Sequence, residues 1–100
     1  MTEQKPGRPG HQQTWYVYVI RASDDSLYTG VTTDVQRRFK EHGDPGKGAR
    51  FFRGRQPVEV VYTETSPDRG SALRREAAIK SLSRLDKLKL IGQDARKSGG

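Results

Sequence analysis

The apolar positions of this chain fall into short runs with two different periods. Trp15–Arg21 (WYVYVIR) is aromatic and β-branched throughout, with no breaker. It predicts a strand buried on both faces, and therefore central in its sheet. Alternation puts Tyr16, Tyr18 and Ile20 on one face and Trp15, Val17 and Val19 on the other. Ala22–Asp25 supplies turn chemistry, and Ser26–Val31 (SLYTGV) reads as a second strand that pairs with the first as an antiparallel hairpin. Gln56–Thr65 (QPVEVVYTET) sets Val58, Val60 and Tyr62 against Glu59, Val61 and Thr63. That alternation predicts a third strand, exposed on part of one face.

Between the second and third strands the period changes. Val35 and Phe39 are i, i+4 and face the core of a helix, while Arg38 and His42, also i, i+4, share an adjoining face. Thr33-x-x-Gln36 matches a capping box and Asp34 adds a carboxylate to the first turn, so the helix opens near Asp34. Gly43-Asp-Pro-Gly ends it. After the third strand, Ser66-Pro67-Asp68 offers a serine cap and a proline at the first helical position. That helix runs through Leu73, Ala77 and Lys80. Ser83-x-x-Asp86 caps a final helix, Arg84–Ile91, carrying Leu85, Leu88 and Ile91. The predicted order is β-β-α-β-α-α. The fold class is α/β (α+β), a three-stranded antiparallel sheet flanked by helices. No internal repeat is present.

Composition narrows the picture. Hydrophobic and charged residues each make up 31% of the 100 residues, so the core is thin. Residues 1–14 have no apolar periodicity and contain two Pro-Gly steps, which predicts a disordered N-terminal arm. Gln93–Gly100 is polar, ends in two glycines, and reads as a disordered tail. The folded domain is then 15–92. The absence of cysteine excludes disulfides and cysteine-ligated zinc. No apolar run approaches the roughly 20 residues of a membrane span, and the N-terminus has no signal-peptide core. These features point to the cytoplasm and away from membranes. Charge adds a partner class. Arg37–Arg55 holds seven basic residues against Glu41 and Asp44, which leaves +5 of the chain's net +7 in that segment. A local cationic surface fits a nucleic acid, and it equally fits a face kept charged for solubility.

Tyr16-Val17-Tyr18, Tyr28-Thr29-Gly30, Arg38, His42 and Glu76 then stand at spacings that resemble the GIY-YIG nuclease superfamily. The likeness is greatest to its small single-domain bacterial members, of the UPF0213-like type. TGVTTDVQRRFKEH and LRREAAIKSL carry most of the resemblance, which spans Trp15 to about Ile91. The first tripeptide has Tyr16 and Val17 where the family has glycine and isoleucine, and the second has Thr29 for isoleucine. Both tyrosines and the second glycine remain, and in the family it is that glycine's backbone freedom that matters.

The resemblance implies phosphodiester hydrolysis with Mg²⁺ or Mn²⁺. Tyr18 would be the general base or its relay to water. A phenol titrates near 10 unless a cation lowers it, and Arg38 and the metal are the available cations. Arg38 would also hold phosphate bidentately. Tyr28 would orient water or phosphate, and His42 would shuttle a proton or contact phosphate. Glu76 would bind the metal, since a hard cation accepts one carboxylate and completes its shell with water and phosphate oxygens. Lys80 is the best match to a variable polar position in the family's last motif.

Each residue also has an ordinary explanation. The tyrosines fit a core, Arg38 a surface charge, His42 a helix C-terminus, and Glu76 an ion pair with Lys80. Only the joint spacing argues against all of these at once. Arg37, Lys47, Arg50, Arg53, Arg55 and Lys80 are the candidate nucleic-acid contacts. Phe51 and Phe52 either stack on an unpaired base or pack into the core, and the small core favours packing for at least one. The expected function is a divalent-metal-dependent endonuclease acting on DNA, of branched or single-stranded form, with RNA open as a substrate and a protein partner or homodimer compatible. The alternative is a non-catalytic nucleic-acid-binding module that keeps the fold.

Overall fold

β1 (Trp15–Ala22) is the middle strand of a three-stranded antiparallel sheet of order β2-β1-β3, with β2 (Leu27–Thr32) and β3 (Pro57–Ser66) on its flanks. The computed structural model of the chain describes residues 13–99, with side chains as far as residue 92. The arm expected over 1–14 therefore lies, up to residue 12, outside the described residues. Three helices complete the order expected from the sequence: α1 (Val35–His42), α2 (Arg69–Lys80) and α3 (Arg84–Gly99). Among the described residues no helix is long and apolar enough to cross a membrane.

Burial of β1 on both faces divides the core in two. Val17 and Val19 pack with Ala72 and Ile79 of α2, joined by Leu90 and Ile91 of α3. Tyr18, Ile20 and Ala22 pack on the opposite face with Phe52, Val35 and Phe39. So α2 and α3 cover one side of the sheet, and α1 with the loop after it covers the other. The site forms on the α1 side.

Several elements depart from the sequence pattern for physical reasons. On β3, Val19 faces Tyr62 but Ile20 faces Val60, so Val61 is the extra residue of a β-bulge. The bulge breaks the alternation: Val60 joins the Tyr18 face, whereas Val61 and Tyr62 join the Val17 face. The cap of α1 is Asp34, whose carboxylate accepts from Arg37 N–H at 3.0 Å. The Thr33–Gln36 box is not used. Likewise Asp68, not Ser66, caps α2, accepting from Ser71 N–H at 2.7 Å. A residue before proline is biased toward extended backbone, and Ser66 stays in β3. Ser83 caps α3 as expected, accepting from Asp86 N–H at 3.1 Å. That helix continues to Gly99, through the segment read as a tail. Of its leucines, Leu85 and Leu88 are exposed, while Leu90 packs.

Candidate active site

Two strands and α1 bring Tyr18, Tyr28, Arg38 and His42 together, and α2 holds Glu76 close enough for its charge to act on Tyr18. Tyr18 on β1 stands opposite Gly30 on β2, and the neighbouring pair is Ile20 with Tyr28. The two tyrosines therefore project from the same face, with ring centroids 6.2 Å apart. Gly30 gives Tyr18 its room. A Cβ at that position would lie 2.5 Å from the Tyr18 hydroxyl oxygen, so any side chain would push the phenol away. Gly30 does not have a positive φ, so its contribution is space rather than the backbone freedom expected of it.

α1 supplies Arg38 and His42 from one stripe beside its core stripe. Tyr18 Oη and His42 Nε2 are hydrogen-bonded at 2.9 Å, and Ala49 N–H donates to His42 Nδ1 at 3.1 Å. The imidazole is buried, 4.5 Å from the Phe52 ring and 5.1 Å from the Tyr28 ring between centroids. Arg38 Nη1 donates to Glu41 Oε1 at 2.9 Å and to the Lys47 carbonyl at 3.1 Å. Its guanidinium is held at both ends of a turn-and-loop segment and keeps a solvent-facing edge.

Glu76 lies on the stripe Ala72–Glu76–Ile79, which faces the sheet. Its side chain is only 18% exposed, although a carboxylate at such a position has nothing to gain from packing. Its carboxylate pairs with Lys80 Nζ at 3.3 Å, and that ammonium lies 6.0 Å from the Tyr28 ring centroid. The ion pair expected as the ordinary explanation is thus present, and it stands at the edge of the tyrosine pair.

Electrostatics separate the roles. Burial, and then the neighbouring Tyr28, push the Tyr18 phenol well above its ordinary range; Arg38 pulls it down, but by less. The expectation that Arg38 makes the phenol acidic is met in direction and outweighed in size. Burial, with the Arg38 charge second, pushes the His42 imidazole down to about 4. That shift favours the neutral imidazole over the cation that a helix C-terminus would attract.

A model of the GIY-YIG catalytic domain matches residues 14–89. The chain belongs to the GIY-YIG family. Its relatives are UPF0213 proteins. DP2720 of Desulfotalea psychrophila is 49% identical over 77 residues, covering 77% of this chain and 70% of the relative. YhbQ of Escherichia coli K12 is 42% identical over 81 residues, covering 81% and 80%. The solution NMR structure of the UPF0213 protein BH0048 from Bacillus halodurans is 45% identical, with a TM-score of 0.52, and covers 80% of this chain and 84% of that one.

In this GIY-YIG domain the basic residues divide. Arg50 and Arg53 are exposed and line a cleft of about 470 Å³ whose inner wall is His42 and Phe52. Arg37 and Lys47 are exposed, with only long contacts of 3.8 and 3.7 Å to Glu41 and Asp44. Arg55 is different. It donates to Asp24 at 2.8 Å and to the Phe51 carbonyl at 2.8 Å, and stacks 4.3 Å over the Phe51 ring. Its guanidinium pins the loop. Phe52 is buried, and Phe51 packs on Tyr28 and Phe52, so the packing reading holds for both.

A GIY-YIG metal would have Glu76 as its protein ligand. Among the described residues no three His, Cys, Asp or Glu side chains cluster as a metal cage. A lone, part-buried carboxylate suits a hard divalent cation that keeps most of its water, once Lys80 releases it. Sequence reasoning missed Glu41, Gly48 and Ala49, which fix Arg38 and His42. Two of these act through the main chain, where residue identity carries little signal. Gly48 is the exception. A Cβ there would lie 2.6 Å from His42 Cα, so only glycine lets the loop pass.

Proposed function

We propose that this protein is a divalent-metal-dependent endonuclease that hydrolyses phosphodiester bonds in DNA. The observation that supports the reading is the gathering of Tyr28, Arg38 and His42 about Tyr18, whose hydroxyl is hydrogen-bonded to His42, with Glu76 near enough for its charge to act on that phenol.

Each residue has a task in that reaction. Arg38 keeps a rigid cationic fork beside the Tyr18 hydroxyl and binds the scissile phosphate. Tyr18 first loses its own hydroxyl proton to solvent, a step its buried phenol resists and the Arg38 charge favours, and the phenolate then takes the proton of the attacking water. His42 holds the phenol oxygen in place, and Tyr28 closes the other side of the water. Glu76 would hold Mg²⁺ in place of its ion pair with Lys80, and the cation when bound would supply Lewis-acid charge neutralisation. Lys80, once released, faces the phosphate.

A non-catalytic binding module has one observation in its favour, the Glu76–Lys80 ion pair, which occupies the only protein ligand assigned to the metal. Incubating the protein with plasmid and with labelled branched or single-stranded DNA separates the two. Cleavage is expected with Mg²⁺ or Mn²⁺ and not in EDTA. Glu76→Ala and Arg38→Ala are expected to lose at least about a hundredfold in rate while much of the binding survives. EDTA-resistant cleavage, or full activity of Glu76→Ala, removes this mechanism. Binding without cleavage under either metal leaves the binding module, and cleavage confined to RNA corrects the substrate.

A further inference from the structure

We infer that the main-chain N–H of Ala49 is a positioning group that locks His42 into one tautomer, so that His42 Nε2–H is a fixed donor to the Tyr18 oxygen and not a proton acceptor. The inference rests on the nuclease reading only for its catalytic consequence.

A neutral imidazole has one protonated nitrogen and one lone pair. Ala49 N–H points at Nδ1 from 3.1 Å, and a main-chain amide cannot turn round and accept. Nδ1 must therefore keep its lone pair, and the ring proton sits on Nε2. Nε2 lies 2.9 Å from Tyr18 Oη, so the imidazole donates and the phenol oxygen accepts. The hydrogen of the Tyr18 hydroxyl is thereby turned away from His42. His42 has no vacant nitrogen for it: Nε2 is occupied and Nδ1 is engaged. The proton shuttle open to His42 from sequence is closed by one backbone amide. What remains is a donor that steadies negative charge on Tyr18 Oη, the state a general base must reach. The low basicity of His42, set by burial and then by the Arg38 charge, keeps the ring in the neutral state the lock requires.

The loop is built to hold that amide. Gly48 passes so close to the α1 terminus that a Cβ would strike His42 Cα, which seats residues 47–49 against the imidazole. The Lys47 carbonyl in the same segment receives Arg38. One three-residue stretch of backbone thus positions both α1 side chains.

Ala49 also provides a test, because its φ is −65° and proline adopts that angle unforced. Proline has no N–H and its Cδ stands where the amide hydrogen pointed at Nδ1, so Ala49→Pro at once deletes the donor and crowds the ring, and the wild-type ring nitrogens carry the decisive reading. His42 ring nitrogens are read by ¹⁵N NMR near pH 7.5 in a His11→Gln background, without metal or substrate. The wild type is expected to show a protonated Nε2, an unprotonated Nδ1, and a scalar coupling across the hydrogen bond between Ala49 N and Nδ1. In Ala49→Pro the nitrogens are expected to move toward the average of exchanging tautomers, whereas Ala49→Ser, which keeps the amide, retains the wild-type signature. A protonated Nδ1 in the wild type, or unchanged ring shifts in Ala49→Pro, overturns the inference. Should the proline variant fail to fold, the wild-type coupling decides, and its absence is fatal. With cleavage in hand, Ala49→Pro is expected to lower kcat roughly tenfold or more with KM little changed. An unchanged kcat removes the positioning role. If the wild type cleaves nothing, the nuclease reading fails, and the ring nitrogens still judge the lock.

Discussion

Tyr28, Thr29 and Gly30 follow one another on β2 and meet three different fates. Tyr28 faces the site, and Gly30 vacates the space into which the Tyr18 phenol fits. Thr29 points to the opposite face, opposite Val19, where it is buried with a hydroxyl that has no hydrogen-bond partner. An orphaned buried hydroxyl costs about 1–3 kcal/mol. Thr29→Val keeps the branched shape and removes the oxygen, so it is expected to raise stability by about 1 kcal/mol and the Tm by a few degrees in thermal unfolding. A lower Tm would mean that the hydroxyl has a partner in solution. The residue types at the site were legible in the sequence because a tyrosine, an arginine and a glutamate at fixed spacing have few joint explanations. The clearance at Gly30 was not. Its measure is a distance across two strands, and a single glycine letter reports freedom and space alike.

At the scale of elements, legibility followed how many neighbours an element answers to. β1 was readable as central because six uninterrupted aromatic and β-branched residues, Trp15–Ile20, admit no solvent face. β3 was misread beyond its bulge, since a bulge is fixed by pairing with β1 and not by its own pattern. The caps slid by one or two residues, from Thr33 to Asp34 and from Ser66 to Asp68, because several capping residues stand in a row and geometry picks one.

The α1 terminus carries a consequence for acid stability. His42 is the last residue of α1, buried between β1 and the loop, with Arg38 and Glu41 beside it on its own helix and Tyr18 and Tyr28 facing it from the sheet. Its pKa is about 4 folded against an ordinary 6.5, so the unfolded chain takes up the proton first as pH falls. Stability from this group is complete above pH 6.5 and is lost as pH falls through 4, about 3 kcal/mol in all at about 1.4 kcal/mol per unit. Thermal unfolding of the wild type and His42→Gln between pH 7 and 4 is expected to show the stability gap closing as pH falls. A gap independent of pH would mean that His42 titrates normally.

On the scale of the whole molecule, the cationic face resolves into two populations. The sequence gives Lys47, Arg50, Arg53 and Arg55 as one basic run, and nothing in their spacing distinguishes them. The fold does. Arg55 is spent on Asp24 and Phe51, whereas Arg50 and Arg53 stand open on the cleft whose back wall is His42. A cation that contacts phosphate releases a counterion, and each contact adds about 0.7–0.9 to the steepness with which log affinity falls against log salt. A cation already engaged in an internal ion pair, as Arg55 is with Asp24, has its charge satisfied before binding and stabilises the loop instead. Arg50→Ala/Arg53→Ala is therefore expected to weaken binding to a labelled single-stranded oligonucleotide in EDTA and to reduce the salt slope by roughly one to two. Arg55→Ala is expected to leave that slope unchanged while lowering the Tm, because it loosens the loop that seats Phe51 and Phe52 beside the site. Fluorescence anisotropy from low to moderate salt, paired with thermal unfolding of each variant, reads both quantities. If the slope falls with Arg55→Ala and not with the double variant, the footprint lies on the Asp24 side of the loop, and the cleft beside His42 is not where the phosphate backbone runs.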